Sequence, residues 1–212
     1  DVIERENAGL DFGSWSEGLR RHGDRCEGEL LLANDSVYGP IGDLRAGFER
    51  LRGLEVDVSG FVERLHHTPH LQSWFLLFSP RARASPEFRD FMAQDFAAMT
   101  KADIIRNGEL GLQRALDAAG LSFAGLYRQP DRDASRAIAN FNPTHSLWRE
   151  LIVSHDVPFL KVELLRDNPL QISDVGAWRE VVTARAPDLT ALIEAHRDGL
   201  GADWAGRSPR LR

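Results

Sequence analysis

The sequence predicts an α/β fold with a mostly parallel central sheet flanked by helices. Three observations predict it. Short apolar runs alternate with segments whose apolar residues recur at helical spacing. Two of the runs, Leu30–Ala33 and 71–78, are apolar at successive positions, as strands covered on both faces are. Polar and proline-containing stretches, Asn34-Asp35-Ser36 after the first run and Ser79-Pro80 after the second, end them abruptly. Both runs are therefore expected to be buried strands of one sheet.

The elements follow in order. Asp1-Val2-Ile3 reads as a short strand or the end of one. Residues 6–14 have loop chemistry, with Ser14 as the N-cap of a short helix carrying Trp15 and Leu19. Gly23-Asp24-Arg25 is a turn. After the strand Leu30–Ala33, Gly39-Pro40 restarts the chain as a helix with Pro40 at its first position. Ile41, Leu44, Phe48 and Leu51 share one face of that helix, and Gly53 stops it. Residues 54–61 are ambiguous, with a strand as one reading. Ser85-Pro86-Glu87 opens a helix with Phe88, Phe91 and Met92 on one face. Leu112, Ala115, Leu116 and Ala119 mark another, closed by Gly120. Residues 121–127 read as a strand and 129–139 as a polar loop rich in Asp and Arg. Asn142-Pro143 opens a helix with Leu147, Trp148, Leu151 and Ile152. Residues 159–165 alternate, Leu160, Val162 and Leu164 against Lys161 and Glu163, as a half-buried strand does. Two helices follow, after Ser173 and after Pro187. Residues 1–185 are expected as one domain, and 186–212 as a C-terminal helix with a frayed basic tail.

Composition sets the outer limits. The 212 residues, 42% hydrophobic and 27% charged, are those of an ordinary globular protein. A net charge of −6 gives no reason to expect nucleic acid as a partner. One cysteine, Cys26, excludes an intrachain disulfide framework and suits a reducing compartment. No apolar run is long enough to cross a bilayer, and no signal peptide is read. Because the first residue is Asp1, the chain is expected to be a processed or excised piece.

Four stretches carry chemistry. Asn34-Asp35-Ser36 follows a strand, where ligands bind in open α/β sheets; there Asp35 can hold a metal or a sugar hydroxyl, or the three residues can simply cap and turn the chain. His66-His67-Thr68-Pro69-His70 invites a zinc reading, because His66 and His70 are four apart; Pro69 between them disfavours a regular helix. Glu109 stands between Gly108 and Gly111 where a helix is expected to begin. It is either a helix-start residue, favoured by the dipole, or a general base, with the two glycines leaving space for an acceptor. Lys161 and Arg166 can hold a phosphate or an acidic neighbour; the alternative for Lys161 is a solvated strand face.

Taken together these stretches resemble the rhamnan-synthesis F-type family of bacterial polysaccharide glycosyltransferases. The matching pieces are Glu6-Asn7-Ala8-Gly9-Leu10-Asp11-Phe12-Gly13-Ser14-Trp15, Leu32-Ala33-Asn34-Asp35-Ser36-Val37-Tyr38-Gly39-Pro40, His70-Leu71-Gln72-Ser73-Trp74-Phe75-Leu76, Gly108-Glu109-Leu110-Gly111-Leu112, and the run from Pro158 to Pro169. Each is weak alone; five in order are fairly specific.

The resemblance implies a GT-A-like, Rossmann-like nucleotide-sugar fold. It implies Glu109 as catalytic base, and Asn7, Gly9, Asp11, Asn34, Asp35, Ser36, Lys161 and Arg166 as donor-binding. His70, Gln72 and Trp74 are implied to bind the acceptor. Asp35 is implied to hold a divalent Mg or Mn ion, although the Asp-x-Asp element of such folds is reduced here to one carboxylate. The implied partners are a nucleotide-sugar donor, with a deoxyhexose such as rhamnose from dTDP, and a saccharide or lipid-linked acceptor. The implied location is the cytoplasm, with peripheral association at the inner face of the membrane. GT-A folds begin with a strand–helix unit that cradles the base. The chain is expected to lack it, which implies a fragment, altered nucleotide binding or a non-catalytic relative.

Two rival classes remain. A carbohydrate-binding or scaffold module would keep the core without turnover, and need not bind dTDP or Mn²⁺. A hydrolase would need two carboxylates across the scissile bond, Asp35 and Glu109. Trp74 and Trp148 can stack on a sugar ring or serve the core.

Overall fold

The computed structural model describes residues 2–6, 8–66, 68–129 and 141–204. Asn7, His67, most of the expected polar loop and the expected frayed tail lie outside the described residues. The chain forms two compact units. One comprises Asp1–Asp35 with Phe48–Phe141, the other Ser36–Gly47 with Asn142–Arg212.

The first unit holds the main sheet, built from β1 (Leu30–Ala33), β3 (Val58–His66), β4 (Thr68–Leu71), β5 (Phe75–Phe78) and β6 (Phe123–Arg128). Its path is β1-β5-β3-β4, and every neighbouring pair on that path is antiparallel. β6 joins β3 in parallel, from Val58↔Phe123 to Glu63↔Arg128. The expected mostly parallel, GT-A-like sheet is therefore corrected. Apolar side chains on both faces report that a strand is covered, not which way its neighbour runs. β3 and β4 follow one another almost directly, and a connection that short reverses the chain; β5 then continues in the direction of β4 and is likewise antiparallel to β3. The stretches between β1 and β3 and between β5 and β6 have the length of a crossover, and each contains helix; β1 and β3, each antiparallel to the β5 strand between them, run the same way.

The two apolar runs also differ from expectation. β1 lies at the end of the strand path; only Leu32 is buried and Leu31 is 40% exposed. Residues 71–78 are not one strand. β4 ends at Leu71, Gln72-Ser73-Trp74 intervene, and β5 begins at Phe75 with all four residues buried.

Helices cover the sheet. α1 (Leu10–His22) starts after Gly9, so Ser14 lies inside it rather than capping it. α3 (Pro80–Ala84) and α4 (Pro86–Met92) are capped by the hydroxyls of Ser79 and Ser85, which accept from Ala82 N and Phe88 N. α5 (Lys101–Ile104) and α6 (Leu110–Ala118) complete the layer. Phe12, Leu32, Val58, Leu76, Phe78, Phe88, Phe91 and Leu112 form one core.

The second unit has its own core of Tyr38, Ile41, Trp148, Leu160, Leu164, Trp178 and Val182. It contains β2 (Val37–Tyr38), paired antiparallel with β7 (Leu160–Lys161). Pro40 does not start a helix. It follows a cis peptide bond beside β2, and α2 (Leu44–Arg52) begins after Asp43, whose carboxylate accepts from Arg45 N and Ala46 N. The strand expected over 159–165 is two residues long and turns at once into α9 (Val162–Arg166), following α7 (Pro143–Ser146) and α8 (Trp148–Val153). α10 (Trp178–Thr183) and α11 (Pro187–Trp204) close the unit. No described helix is long and apolar enough to cross a membrane.

Candidate functional site

Glu109 does not open a helix. α5, a π-turn over Ile105–Glu109 and α6 follow one another without a break, and Glu109 is the last residue of the π-turn. The dipole argument for its carboxylate therefore lapses, since no free helix end lies there. A π-turn widens the helix by one residue and re-aims the side chains around it, and such turns are frequent at functional sites. The partner that fixes the carboxylate is distant in sequence. Ser73 Oγ donates to Glu109 Oε1 at 2.8 Å, from the interruption between β4 and β5.

The same interruption carries Gln72 and Trp74. Trp74 is buried, its Nε1 donates to Gln72 Oε1 at 2.9 Å, and its ring stacks on Phe61 with centroids 5.8 Å apart. Gln72 N donates to Val62 O, which ties the interruption to β3. Trp148, the other stacking candidate, is buried in the second unit and donates to Asp174.

His70 is 3% exposed, with Nδ1 3.0 Å from Thr68 O. A carbonyl can only accept, so Nδ1 carries the proton in that bond. Burial lowers the His70 pKa; the Thr68 bond and the charge of Glu109 oppose this, and the charge of Arg64 adds to it. His70 is thus held as the neutral ring. Arg64 lies directly across from it in the β3–β4 register. Burial lowers the Arg64 pKa too, against the field of Glu109. Glu109, His70 and Arg64 form one electrostatic group.

Of the residues assigned to a donor, Asp11 and Asn34 meet. Asn34 Nδ2 donates to Asp11 Oδ2 at 2.9 Å, and Asn34 N donates to Trp74 O. Trp15 Nε1 donates to Ala33 O. Gly9 is at φ +76°, and a Cβ there would lie 2.8 Å from the Phe96 carbonyl carbon, so this glycine serves a close backbone approach. Asp35 is exposed, just beyond the end of β1. Four of the five motif stretches thus converge in the first unit through Asp11–Asn34, Asn34–Trp74, Ser73–Glu109 and the packing of Gly108 on Phe12.

Ser36, Lys161 and Arg166 belong to the second unit. Lys161 Nζ donates to Ser36 Oγ at 3.1 Å, and Val162 N donates to Ser36 O. Arg166 pairs with its neighbour Asp167 at 2.6 Å.

A divalent ion needs about six oxygen ligands. Asp35 brings one carboxylate, and among the described residues no group of three or more His, Cys, Asp or Glu can hold a metal. Asp35 would therefore hold such an ion only together with substrate phosphate oxygens and water, as Mg²⁺ is commonly held.

The sequence reading overlooked Ser73 and Arg64. Ser73 was signalled: Gln72-Ser73 is a polar pair inside an otherwise apolar run. Arg64 carried no local signal, since its place follows only from where β3 runs.

The family model described as rhamnan synthesis protein F matches residues 1–187. The chain belongs to the rhamnan synthesis protein F family. Membership implies a role in polysaccharide synthesis. Relatives include the virulence protein VirA of Vibrio anguillarum, 29% identical over 196 residues, a match covering 79% of this chain and 62% of that protein. The uncharacterized protein y4gN of Sinorhizobium fredii is 29% identical over 136 residues, covering 61% of this chain and 36% of that protein. The chain therefore spans less than two thirds of the length of these relatives. No solved structure matches it.

Proposed function

We propose that the protein transfers a deoxyhexose such as rhamnose from a nucleotide-diphosphate donor to a hydroxyl of a growing cell-surface polysaccharide. Membership of a rhamnan-synthesis family supports this reading. The observation that carries it is the Glu109 carboxylate, fixed by Ser73 Oγ at 2.8 Å beside His70 and Arg64.

A sugar hydroxyl is a poor nucleophile near neutral pH. Glu109 takes its proton as the oxygen attacks the anomeric carbon. The bond from that carbon to the diphosphate oxygen breaks, and its electron pair leaves with the diphosphate. Ser73 holds the carboxylate in one direction, which is how a serine contributes without touching substrate. Asp11, Asn34 and Asp35 are assigned to the donor's hydroxyls.

The test is release of dTDP from dTDP-rhamnose in the presence of a saccharide acceptor. Glu109→Gln keeps the shape but cannot accept a proton. It should lower kcat by about 10²–10⁴ with little change in the donor KM. Near-normal kcat in this variant would refute the base assignment. Donor binding without any turnover by the wild type would instead mark a non-catalytic module.

A further inference from the structure

Three arginines of the first unit, Arg5, Arg64 and Arg83, are only partly exposed and meet no carboxylate within ion-pair distance among the described residues; of these, Arg64 is the one opposite His70 and in the field of Glu109. Arg52, Arg81 and Arg128 are all more than half exposed, and each meets a carboxylate, of Glu29, Asp57 and Glu63 respectively. Arg64 is only partly exposed, yet among the described residues no carboxylate lies within ion-pair distance of it. Its hydrogen-bond partner is neutral: Nε donates to Phe141 O at 3.0 Å. An arginine taken partly out of water is ordinarily paired. Here the carbonyl fixes the plane of the guanidinium through Nε, and the two terminal nitrogens have no acceptor among the described residues. The fork is oriented, and among the described residues its four outer N–H groups meet no acceptor. It sits opposite His70 in the sheet register and within the field of Glu109.

A planar fork of this kind matches the oxygens of a phosphate, two parallel hydrogen bonds at a time. Glu109 does not take that place, since it is held by Ser73. We infer that Arg64 forms a phosphate-ester subsite beside Glu109, so that the phosphorylated part of a substrate completes the charge that the fold leaves unpaired. This inference rests on the sugar-transfer reading. Two sources share the chemistry: the diphosphate of the nucleotide donor and a diphosphate on a lipid-linked acceptor.

Isothermal titration of the whole chain with inorganic pyrophosphate, dTDP and citronellyl diphosphate tests the subsite and separates the sources. Pyrophosphate should bind, together with the ester from the true source. Arg64→Ala should weaken both by about 10–150-fold, the effect of losing hydrogen bonds between charged partners. Arg64→Lys keeps the charge without the fork and should recover part of the loss, and Arg64→Met keeps the packed stem should alanine fail to fold. Circular dichroism checks the fold of each variant. Glu109→Gln should bind at least as tightly as the wild type, since it removes a negative charge from beside the subsite. Unchanged affinity in folded Arg64→Ala or Arg64→Met overturns the subsite, as does a wild type that binds none of the three probes. Loss of turnover in Glu109→Gln, or its retention, bears on the base alone, so the two readings fail separately.

Discussion

Gly108→Ala asks whether the glycine before Glu109 exists for packing. In most helical positions alanine is better than glycine by about 1 kcal/mol. Here an added Cβ would lie 2.8 Å from Cδ2 and Cε2 of Phe12 and 3.3 Å from Cγ. Carbon atoms rest about 3.5–4.0 Å apart, so the ring must retreat by roughly 0.7 Å or more. It has little room: Phe12 is 3% exposed, with ring centroids of Trp15, Phe96 and Phe91 at 5.0, 5.4 and 6.0 Å. Overpacking of this kind costs about 1–3 kcal/mol. Set against the helical gain, the net is a destabilisation of up to about 2 kcal/mol. For a chain of this length that lowers the thermal midpoint by up to about 8 °C. The assay is thermal unfolding by circular dichroism of Gly108→Ala, Phe12→Leu and the double variant. Leucine at 12 gives the new methyl somewhere to go, so the double variant should be more stable than the sum of the two single effects requires. A midpoint equal to or above the wild type in Gly108→Ala, or strict additivity in the cycle, would refute the argument.

Two further outcomes are expected. Ser73→Ala should lower kcat by about 10–100-fold at unchanged donor KM, because only the direction of Glu109 is lost, and Ser73→Thr, which keeps the hydroxyl, should restore most of it; a Ser73→Ala enzyme with full kcat removes Ser73 from the site. The second concerns His70, whose folded pKa lies below its ordinary value of 6.5. As pH falls through 6.5 the unfolded chain takes the proton and the buried ring does not, so this stability is present above pH 6.5 and is lost as pH falls toward the folded pKa. Urea unfolding at pH 7.5 and 5.5 should show the drop, and His70→Gln should flatten it; an equal drop in the variant would assign it to other groups.

Much of the local structure was legible. Ser85-Pro86 and Asn142-Pro143 open helices as their capping chemistry dictates, and Gly53 follows the end of α2. Strand direction was not legible, because it depends on connection length and not on composition. Pro40 shows the same limit from another side. A proline after glycine suits a helix start, but Val37 and Tyr38 pair with Lys161 and Leu160, more than a hundred positions away, and that pairing decides the conformation. Leu160, Val162 and Leu164 alternate like a strand, yet Leu164 and Leu165 are both buried in α9, so a five-residue window could not separate the two periods.

The site was legible in its pieces and not in its joints. Gly108 and Gly111 suggested empty space for an acceptor. Instead the ring of Phe12 fills the place where a Gly108 side chain would be, and Phe91 lies 3.3 Å from a Cβ at Gly111. The glycines let the α5–α6 helix press against α1 and α4, and that closeness has a consequence for Glu109. The π-turn adds a residue where the helix touches Phe12, which turns Glu109 toward Ser73. Ser73 is displayed because the apolar run breaks at Gln72-Ser73-Trp74 and not elsewhere. Asn34 binds the backbone of Trp74 in the same interruption and reaches Asp11, one residue before Phe12. Phe12 is therefore the hub: its ring sets the height of the helix that bears Glu109, and its neighbour Asp11 holds the residue that follows β1. A sequence motif records the residues at such a junction, whereas the closeness that joins them comes from side chains that are missing.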